Sequence, residues 1–276
     1  MYKIVNAKNL TGDLFEFQIE APHITRHGKA GQFIIFRVDD EGERVPLTIA
    51  DIDKEKGLLT IVFMAVGYST RKLAALKAGE YIQDIVGPLG IATETDKKLG
   101  TVVVVAGGYG AAPACLISKA YKQSGNKVYM IFGARSKELL FWLDKMQDAC
   151  DEFFVTTDDG SYGHHGLVTD QLKLITDREK VDQIMAIGPI PMMKAVANMT
   201  KGLNIHTEAS LNPLMVDGTG MCGGCRVTVG GEIKFACVDG PDFDAHLVDF
   251  DEIINRNKIY HEHECRLKAK LEELKM

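Results

Sequence analysis

The stretch Thr101–Pro113, TVVVVAGGYGAAP, decides the fold of the second half of this chain. It begins with a run of apolar residues, Val102–Ala106, and continues directly into a turn that is rich in glycine. A short strand that is apolar on both faces is typical of a parallel sheet covered by helices. Glycines between such a strand and a helix let the backbone approach a pyrophosphate, which the helix N-terminus stabilises. Since the turn is not the standard GxGxxG pattern, a nucleotide site here needs support from other strand ends.

Strand and helix patterns alternate from this stretch to residue 208. The predicted strands are Thr101–Ala106, Lys127–Phe132, Glu152–Thr157, Gln183–Ile187 and Asn204–Thr207, and the predicted helices are Ala111–Gln123, Lys137–Met146, Leu167–Ile175 and Pro191–Met199. This repetition predicts a parallel sheet with helices on both faces. We therefore expect residues 98–208 to form a Rossmann-like α/β domain.

Turn and polar residues follow four of the predicted strands. The candidate nucleotide-binding residues there are Gly107, Gly108, Gly110, Arg135, Asp158, Gly188, Pro189, Pro191 and Met192. Any one of these segments is compatible with plain turn chemistry. Open α/β sheets bind ligands at the carboxyl ends of their strands, so the four segments together favour a ligand site.

Residues 1–97 have the pattern of an all-β unit. The predicted strands are Tyr2–Asn6, Leu14–Ile19, Gln32–Val38, Val45–Ala50, Leu58–Val66 and Tyr81–Val86, and Thr70–Leu76 is the main helix signal. Short strands rich in β-branched and aromatic residues, joined by hairpin-length turns, predict a closed antiparallel barrel of the Greek-key type.

Residues 209–250 carry the strongest chemical signal, Asp217-x4-Cys222-x2-Cys225-x11-Cys237. Plant-type 2Fe–2S sites use C-x4-C-x2-C and a distant fourth cysteine, and here Asp217 takes the first position. A carboxylate also ligates iron, and the glycines between these residues permit the tight turns that bring amides to cluster sulfurs. Structural zinc at Cys222 and Cys225, or a redox-active dithiol, are the alternatives. Packing or a spare thiol is the expected role of Cys115, Cys150 and Cys265.

Composition and charge limit the classes of protein. The 276 residues, 46% hydrophobic and 25% charged, predict a folded chain of about two domains. The net charge of −6, without a block of like charges, argues against a nucleic-acid partner. The longest apolar run is too short to span a bilayer and the start lacks a secretory leader, so we expect a cytoplasmic protein without a membrane partner.

The last stretch, residues 251–276, is predicted to be a helix that packs on the fold or binds a partner. Leu267, Leu271 and Leu274 fall on one helical face, and Asp249 with Glu252 fits a capping box.

Two short segments of the predicted barrel fit an anion. Arg44 is able to pair with a diphosphate, and the amides of Gly67–Thr70 are able to cap the same group. A solvated arginine and an ordinary helix N-cap at Ser69 are the alternative interpretation.

The order of these parts, barrel, Rossmann-like domain and cysteine segment, resembles the ferredoxin–NADP reductase superfamily in the branch of dihydroorotate dehydrogenase electron-transfer subunits. The segment Leu211–Glu252 resembles more closely the small subunits of NADH-dependent reduced ferredoxin:NADP oxidoreductases, also called sulfide dehydrogenase small subunits. The resemblance covers nearly the whole chain.

The resemblance implies roles for individual residues. Those implied to bind FAD are Arg44, Pro46, Leu47 and Thr48 along the cofactor, Gly67, Ser69 and Thr70 at its pyrophosphate, and Val62 and Phe63 on the flanks of its ring. The strand-end residues named above are implied to bind NAD(H), and Asp217, Cys222, Cys225 and Cys237 to ligate the 2Fe–2S cluster. Leu47 replaces the tyrosine of the superfamily's Arg-x-Tyr-Ser/Thr motif, and Asp217 departs from the four cysteines of the dihydroorotate branch.

The implied function is electron transfer between NAD(H), FAD and a 2Fe–2S cluster. Since direct hydride transfer needs no proton donor, no catalytic residue is assigned. The implied partner in a heterodimer is a larger iron–sulfur flavoprotein subunit that performs electron bifurcation and binds ferredoxin and NADP(H). NAD is favoured over NADP because Asp158 and Asp159 would repel a 2′-phosphate that Arg135 attracts. The alternatives are an electron-transfer subunit of dihydroorotate dehydrogenase or of a hydrogenase, and a zinc-stabilised nucleotide-binding redox sensor.

Overall fold

The structure is a computed structural model that describes residues 1–258. The first unit contains β1 (Tyr2–Thr11), β2 (Leu14–Glu20), α1 (Pro22–His27), β3 (Phe33–Arg37), β4 (Val45–Asp53), β5 (Leu58–Met64), α2 (Tyr68–Ala74), β6 (Tyr81–Ile82) and β7 (Asp84–Leu89). The antiparallel sheet order is β6-β1-β2-β5-β4-β3-β7. Strands β6 and β7 stand at opposite ends of this order, yet only one residue separates them in the chain. The two edges of the sheet therefore meet, which confirms the predicted barrel. Helix α1 is the one element of this unit that the sequence pattern did not predict.

The barrel has an apolar interior and a second apolar surface outside. Strand β5 shows both, because successive side chains of a strand point to opposite sides. Leu59, Ile61 and Phe63 lie in the barrel interior. Val62 points outward and belongs to the core of the α/β unit.

The second unit contains β8 (Thr101–Gly107), α3 (Ala111–Gln123), β9 (Lys127–Ala134), α4 (Leu143–Ala149), β10 (Glu152–Thr157), β11 (His164–His165), α5 (Val168–Arg178), β12 (Gln183–Ile187), α6 (Ile190–Lys201) and β13 (His206–Ser210). These strands are parallel in the order β11-β10-β9-β8-β12-β13, which confirms the Rossmann-like prediction. Within residues 1–258, no helix has the length and apolar character needed to cross a membrane.

Two predicted boundaries in this unit were wrong for the same reason. The predicted helix Lys137–Met146 is a 3₁₀ turn followed by α4, because Trp142 has a φ of 54° and separates the two. The predicted strand Asn204–Thr207 begins later, because Asn204 also has a φ of 54°. A left-handed backbone at a non-glycine residue is uncommon, and sequence periodicity does not reveal it.

The cysteine segment is attached to the edge of the same sheet. It contains the hairpin β14 (Arg226–Val229) and β15 (Glu232–Phe235), and then β16 (Asp242–Asp244), which pairs antiparallel with β13. Helix α7 (Phe250–Asn257) follows, with Asp249 as its N-cap accepting a hydrogen bond from the Glu252 amide at 2.9 Å. Residues 267, 271 and 274, and Cys265, lie outside the described residues.

The barrel and the α/β unit share one apolar core. Leu14, Ala50 and Val62 of the barrel pack with the fully buried Ala111 and Ala112 of α3. At the rim of this contact, the Trp142 indole donates a hydrogen bond to the Glu16 carboxylate at 2.7 Å. The shared core places the carboxyl end of β8 beside the outer face of β5.

Strands β8 and β12 approach closely at their carboxyl ends, where the strand order reverses. This topological switch point is the usual ligand crevice of open α/β sheets. A Cβ atom added to Gly107 would lie 2.5 Å from the sulfur of Met192 and 2.9 Å from Cδ of Pro189. One added to Gly188 would lie 2.9 Å from the amide nitrogen of Gly107. Both glycines are therefore required by packing as well as by any ligand.

We expect Gly107→Ala to lower the free energy of unfolding by about 1–3 kcal/mol, the usual cost of overpacking. Thermal unfolding followed by circular dichroism measures this loss as a lower melting temperature, with a shift of ~2–4 °C for each kcal/mol. The matched control is Gly202→Ala, where an added Cβ meets nothing within 4 Å and φ is −72°. Equal melting temperatures for the two variants would contradict the packing role of Gly107.

Candidate electron-transfer site

Two of the four predicted cluster ligands are in contact. The sulfur atoms of Cys225 and Cys237 lie 3.1 Å apart, and each residue is only 2% exposed. They pack against Phe33 and Ile35 on the outer face of barrel strand β3. The cysteine segment therefore lies directly on the barrel, although the two are separated by more than half of the chain.

The third cysteine lies at the surface of the same loop. The Gly224 amide donates a hydrogen bond to the sulfur of Cys222 at 3.3 Å. This amide and that of Asp217 lower the pKa of the Cys222 thiol. Burial and the neighbouring Cys225 thiol raise the pKa of Cys237 to about 12. Soft thiolate ligands suit an iron–sulfur cluster, and binding it would release the protons that burial retains.

The Asp217 carboxylate is held by its own loop. It accepts hydrogen bonds from the amides of Thr219 at 3.0 Å and Met221 at 3.2 Å. These bonds, with that of the Thr219 hydroxyl the strongest, lower the pKa of Asp217, and the charge of Arg44 adds to the effect. Across residues 1–258, no three His, Cys, Asp or Glu side chains converge as they would around one metal ion. The structure thus brings Asp217 into the loop of the cysteines without joining it to their sulfur atoms.

The backbone of this loop requires glycine where it touches the barrel. Gly218 has a φ of +76°, and a Cβ added there would lie 2.9 Å from Cδ1 of Ile35. Any larger residue would push the loop away from β3. Of the glycines that the sequence analysis linked to amide approach, Gly218 therefore also seats the loop on the barrel.

Two flavin candidates of strand β4, Pro46 and Thr48, pair with residues of β3 that face the cysteine loop, so they lie on that side of the barrel. Leu47 between them packs against the barrel interior instead. Pro46, Leu47 and Thr48 are half-buried, and Arg44 beside them is exposed. Gly218 of the cysteine loop lies against Ile35, and Ile35 pairs with Pro46, so the loop and the start of β4 are neighbours. A half-buried strip with an apolar and a hydroxyl side chain fits the edge of a planar cofactor.

The candidates at the start of α2 form a capping structure. The N-cap residue is Gly67, whose amide donates to the Thr70 hydroxyl at 3.0 Å. The alternative of an N-cap at Ser69 was therefore wrong. Ser69 is buried, and its hydroxyl donates to the Glu43 carboxylate at 2.9 Å.

Val62 and Phe63 of β5, both predicted to flank the flavin ring, point to opposite sides of the strand. Phe63 is 1% exposed inside the barrel, with its ring 5.2 Å from that of Phe17. Val62 points the opposite way, toward the α/β unit. Of the two, only Val62 is placed to face a ring outside the barrel, because strand side chains alternate.

The nucleotide candidates gather at one edge of the parallel sheet. The crevice between β8 and β12 is lined by Gly107–Gly110 and Gly188–Met192. On the neighbouring strand ends, Arg135 and Asp158 are exposed, and the Asp158 amide donates to the Ala134 carbonyl at 3.1 Å. The carboxylate of Asp159 instead accepts the Ser161 amide at 3.0 Å.

Sequence reasoning missed two residues at these sites. Tyr109, between the glycines of the β8 turn, presents a half-exposed ring at the crevice. Arg256 of α7 donates a hydrogen bond to the Gly224 carbonyl at 3.0 Å. An aromatic residue inside a glycine turn is a visible signal, whereas no spacing rule connects two residues 32 positions apart.

Comparison with known families agrees with this geometry. Residues 212–249 match the iron–sulfur cluster binding domain of dihydroorotate dehydrogenase B, and residues 104–198 match the oxidoreductase NAD-binding domain. The predicted iron–sulfur and nicotinamide cofactors are confirmed by these matches. Zinc as the metal of the cysteine segment is not favoured.

Individual proteins extend the likeness to nearly the whole chain. A protein of the adh 3′ region of Clostridium beijerinckii is 49% identical over 99% of this chain and 95% of its own length. The Thermotoga maritima homologue of the dihydroorotate dehydrogenase B electron transfer subunit is 43% identical over 95% and 92%. A solved structure of the NADH-dependent reduced ferredoxin–NADP oxidoreductase, described for flavin-based electron bifurcation, is 41% identical over 98% of each chain, with a TM-score of 0.93. The chain therefore belongs to the family of dihydroorotate dehydrogenase B electron-transfer subunits and their homologues, an oxidoreductase family with a ferredoxin reductase-like fold.

Proposed function

We propose that this chain is the NAD(H)-side electron-transfer subunit of a flavin-based, electron-bifurcating NADH/ferredoxin:NADP oxidoreductase. The observation that carries the proposal is the placement of three sites around one barrel. The β8–β12 crevice faces strand β5, the half-buried strip lies on β4, and the cysteine loop packs on β3. A path from dinucleotide to flavin to cluster needs this adjacency. The 41% identical structure of that oxidoreductase supports the same function.

FAD is proposed to lie against the outer face of the barrel. Thr48 and Val62 would face its ring, while Arg44 and the amides of Gly67–Thr70 would hold its diphosphate through charge and hydrogen bonds. In this structure the Ser69 hydroxyl donates a hydrogen bond to Glu43. We expect this bond to break when FAD binds, so that the hydroxyl donates to the cofactor instead. When bound, FAD takes a hydride, two electrons and one proton, from NADH and gives the electrons up singly to a one-electron cluster.

The dinucleotide is proposed to lie across the β8–β12 crevice. Gly107, Gly108 and Gly110 let the backbone reach its pyrophosphate at the N-terminus of α3. The half-exposed Tyr109 would cover the crevice toward the barrel and exclude water. Exposed Asp158 beside Arg135 would accept hydrogen bonds from an unmodified ribose and repel a 2′-phosphate, so NAD(H) is preferred to NADP(H).

The cluster is proposed to be held by Asp217, Cys222, Cys225 and Cys237. The buried pair Cys225 and Cys237 would face the barrel, and the exposed Cys222 would face away from it. Asp217 would turn from its loop to iron, which exchanges three hydrogen bonds, from the Thr219 amide and hydroxyl and the Met221 amide, for a bond to the metal. An oxygen ligand in place of a thiolate changes the cluster potential.

Electrons are proposed to leave through the surface around Cys222. Met221 beside it is 87% exposed, and Val216 and Val238 are also exposed. Exposed apolar side chains grouped at one place mark a protein interface. A larger flavin and iron–sulfur subunit is the proposed occupant, because the cluster must pass electrons to a further centre, and that subunit would bind ferredoxin and NADP(H).

A second candidate function is that of electron-transfer subunit in a dihydroorotate dehydrogenase. The match of residues 212–249 to that family's cluster-binding domain favours it. The aspartate in the first ligand position argues against it.

Anaerobic purification of the native complex tests the function. We expect this chain to carry one FAD with about two iron and two sulfide ions. NADH should bleach the flavin absorption and produce the electron paramagnetic resonance (EPR) signal of a reduced 2Fe–2S cluster. Co-purification with a dihydroorotate-oxidising subunit would support the second candidate, and a colourless zinc protein would refute both.

We expect Asp217→Cys to retain the cluster with a shifted midpoint potential and an altered EPR spectrum, because a thiolate replaces a carboxylate at iron. Cys237→Ala should lose most of its iron and keep FAD, since none of the residues proposed to hold FAD belongs to the cysteine segment. The matched control is Cys150→Ala, a buried thiol of the α/β core, which should retain iron. An unchanged spectrum and potential in Asp217→Cys would reject Asp217 as a ligand.

We expect Asp158→Asn to raise kcat/KM for NADPH relative to NADH by about tenfold, equivalent to ~1.4 kcal/mol, because a repulsive charge is removed. Steady-state kinetics of the complex with both nucleotides measure this ratio. Asp177→Asn, an equal charge change on the exposed face of α5, is the control. A ratio that stays at the wild-type value in both variants would show that Asp158 does not select the nucleotide.

A further inference from the structure

Helix α7 touches the cysteine loop although it lies beyond the matched cluster-binding domain of residues 212–249. Arg256 donates to the Gly224 carbonyl at 3.0 Å, and Asn257 accepts the Leu214 amide at 3.3 Å. One turn earlier, the Glu252 carboxylate accepts a hydrogen bond from the amide of Thr228 at 3.1 Å. The helix thus binds the backbone before Cys222, between Cys222 and Cys225, and after Cys225.

The other side of α7 is anchored to the nucleotide-binding unit. Phe250 and Ile253 are buried in the same core as Met193 and Val196 of α6. Asp251 pairs with Lys194 of α6 at 2.6 Å. Because α6 begins at the nucleotide crevice, α7 connects the helix that starts there to the cysteine loop.

We propose that Arg256 is a positioning residue that fixes the cluster loop and raises the midpoint potential of the cluster. Gly224, whose carbonyl Arg256 binds, donates its own amide to the sulfur of Cys222 at 3.3 Å. Holding Gly224 keeps that amide directed at the ligand sulfur. Hydrogen bonds to sulfur and a nearby positive charge both favour the reduced cluster, which carries one more electron.

The half-buried location of Arg256 strengthens the charge effect, because a charge that is partly removed from water is less screened. The planar guanidinium also holds a carbonyl in a defined direction, which a lysine ammonium does not. The two contributions, geometry and charge, are therefore separable by substitution.

The test uses the complex that contains the full chain, reduced stepwise and followed by EPR. Arg256→Gln should shift the midpoint potential of the cluster to a lower value with FAD content unchanged. Arg256→Lys, which keeps the charge, should shift the potential less and still alter the EPR spectrum. Arg26→Gln on the exposed face of α1 makes the same change in net charge outside the cysteine segment and α7, and should leave potential and spectrum unchanged.

An Arg256→Gln cluster with wild-type potential and spectrum would overturn the proposal. If this variant loses flavin as well as iron, Arg256→Lys decides, and a match to the wild type in both potential and spectrum overturns the proposal. The inference rests on the proposed cluster ligands. A wild-type protein without a reduced-cluster signal would refute those ligands, whereas a signal that Arg256→Gln leaves unchanged refutes only the role of Arg256.

Discussion

The close packing of helix α3 against the barrel is the interaction on which the rest of the structure depends. Ala111, Ala112 and Ala114 are fully buried, and small side chains there let the helix lie between barrel strand β4 and its own sheet. Residues of both units belong to this one buried cluster, so separating the units would expose apolar side chains to water. The cluster sets the distance between the glycine turn that opens α3 and the barrel face opposite.

The cysteine segment depends on the same arrangement from another side. It leaves the sheet at β13, crosses the outer face of β3, and returns as β16 at the sheet edge. Cys225 and Cys237 are buried in a small core to which the barrel contributes Phe33 and Ile35. A segment this small has too little apolar surface to fold alone, and it obtains its shape from the two larger units and from the metal it binds.

This arrangement is suited to moving electrons rather than to acid–base chemistry. The described residues at the crevice and on the barrel face are glycines, hydroxyl and apolar side chains with few charges, which position and desolvate a cofactor. Of the charged groups along the path, Arg135 and Asp158 lie at the nucleotide end, and Arg44, Asp217 and Arg256 lie at the cysteine loop or next to it. We propose that Arg256 raises the cluster potential from there, because a charge close to a one-electron centre changes the energy of its reduced form.

The sequence by itself determined the element types, the βα turn at Gly107 and the cysteine spacing, because these depend on residues close together in the chain. Its resemblance to a known superfamily also indicated the order of the units and the cofactor classes. Only the tertiary structure decided that Phe63 faces inward while Val62 faces the α/β unit, and that Cys225 meets Cys237 against the barrel. The hydrogen bond from Arg256 to Gly224 was likewise decided only by the tertiary structure. Such contacts join segments that are distant in the chain, and they exist only once the packing of barrel, sheet and helix has fixed their relative positions.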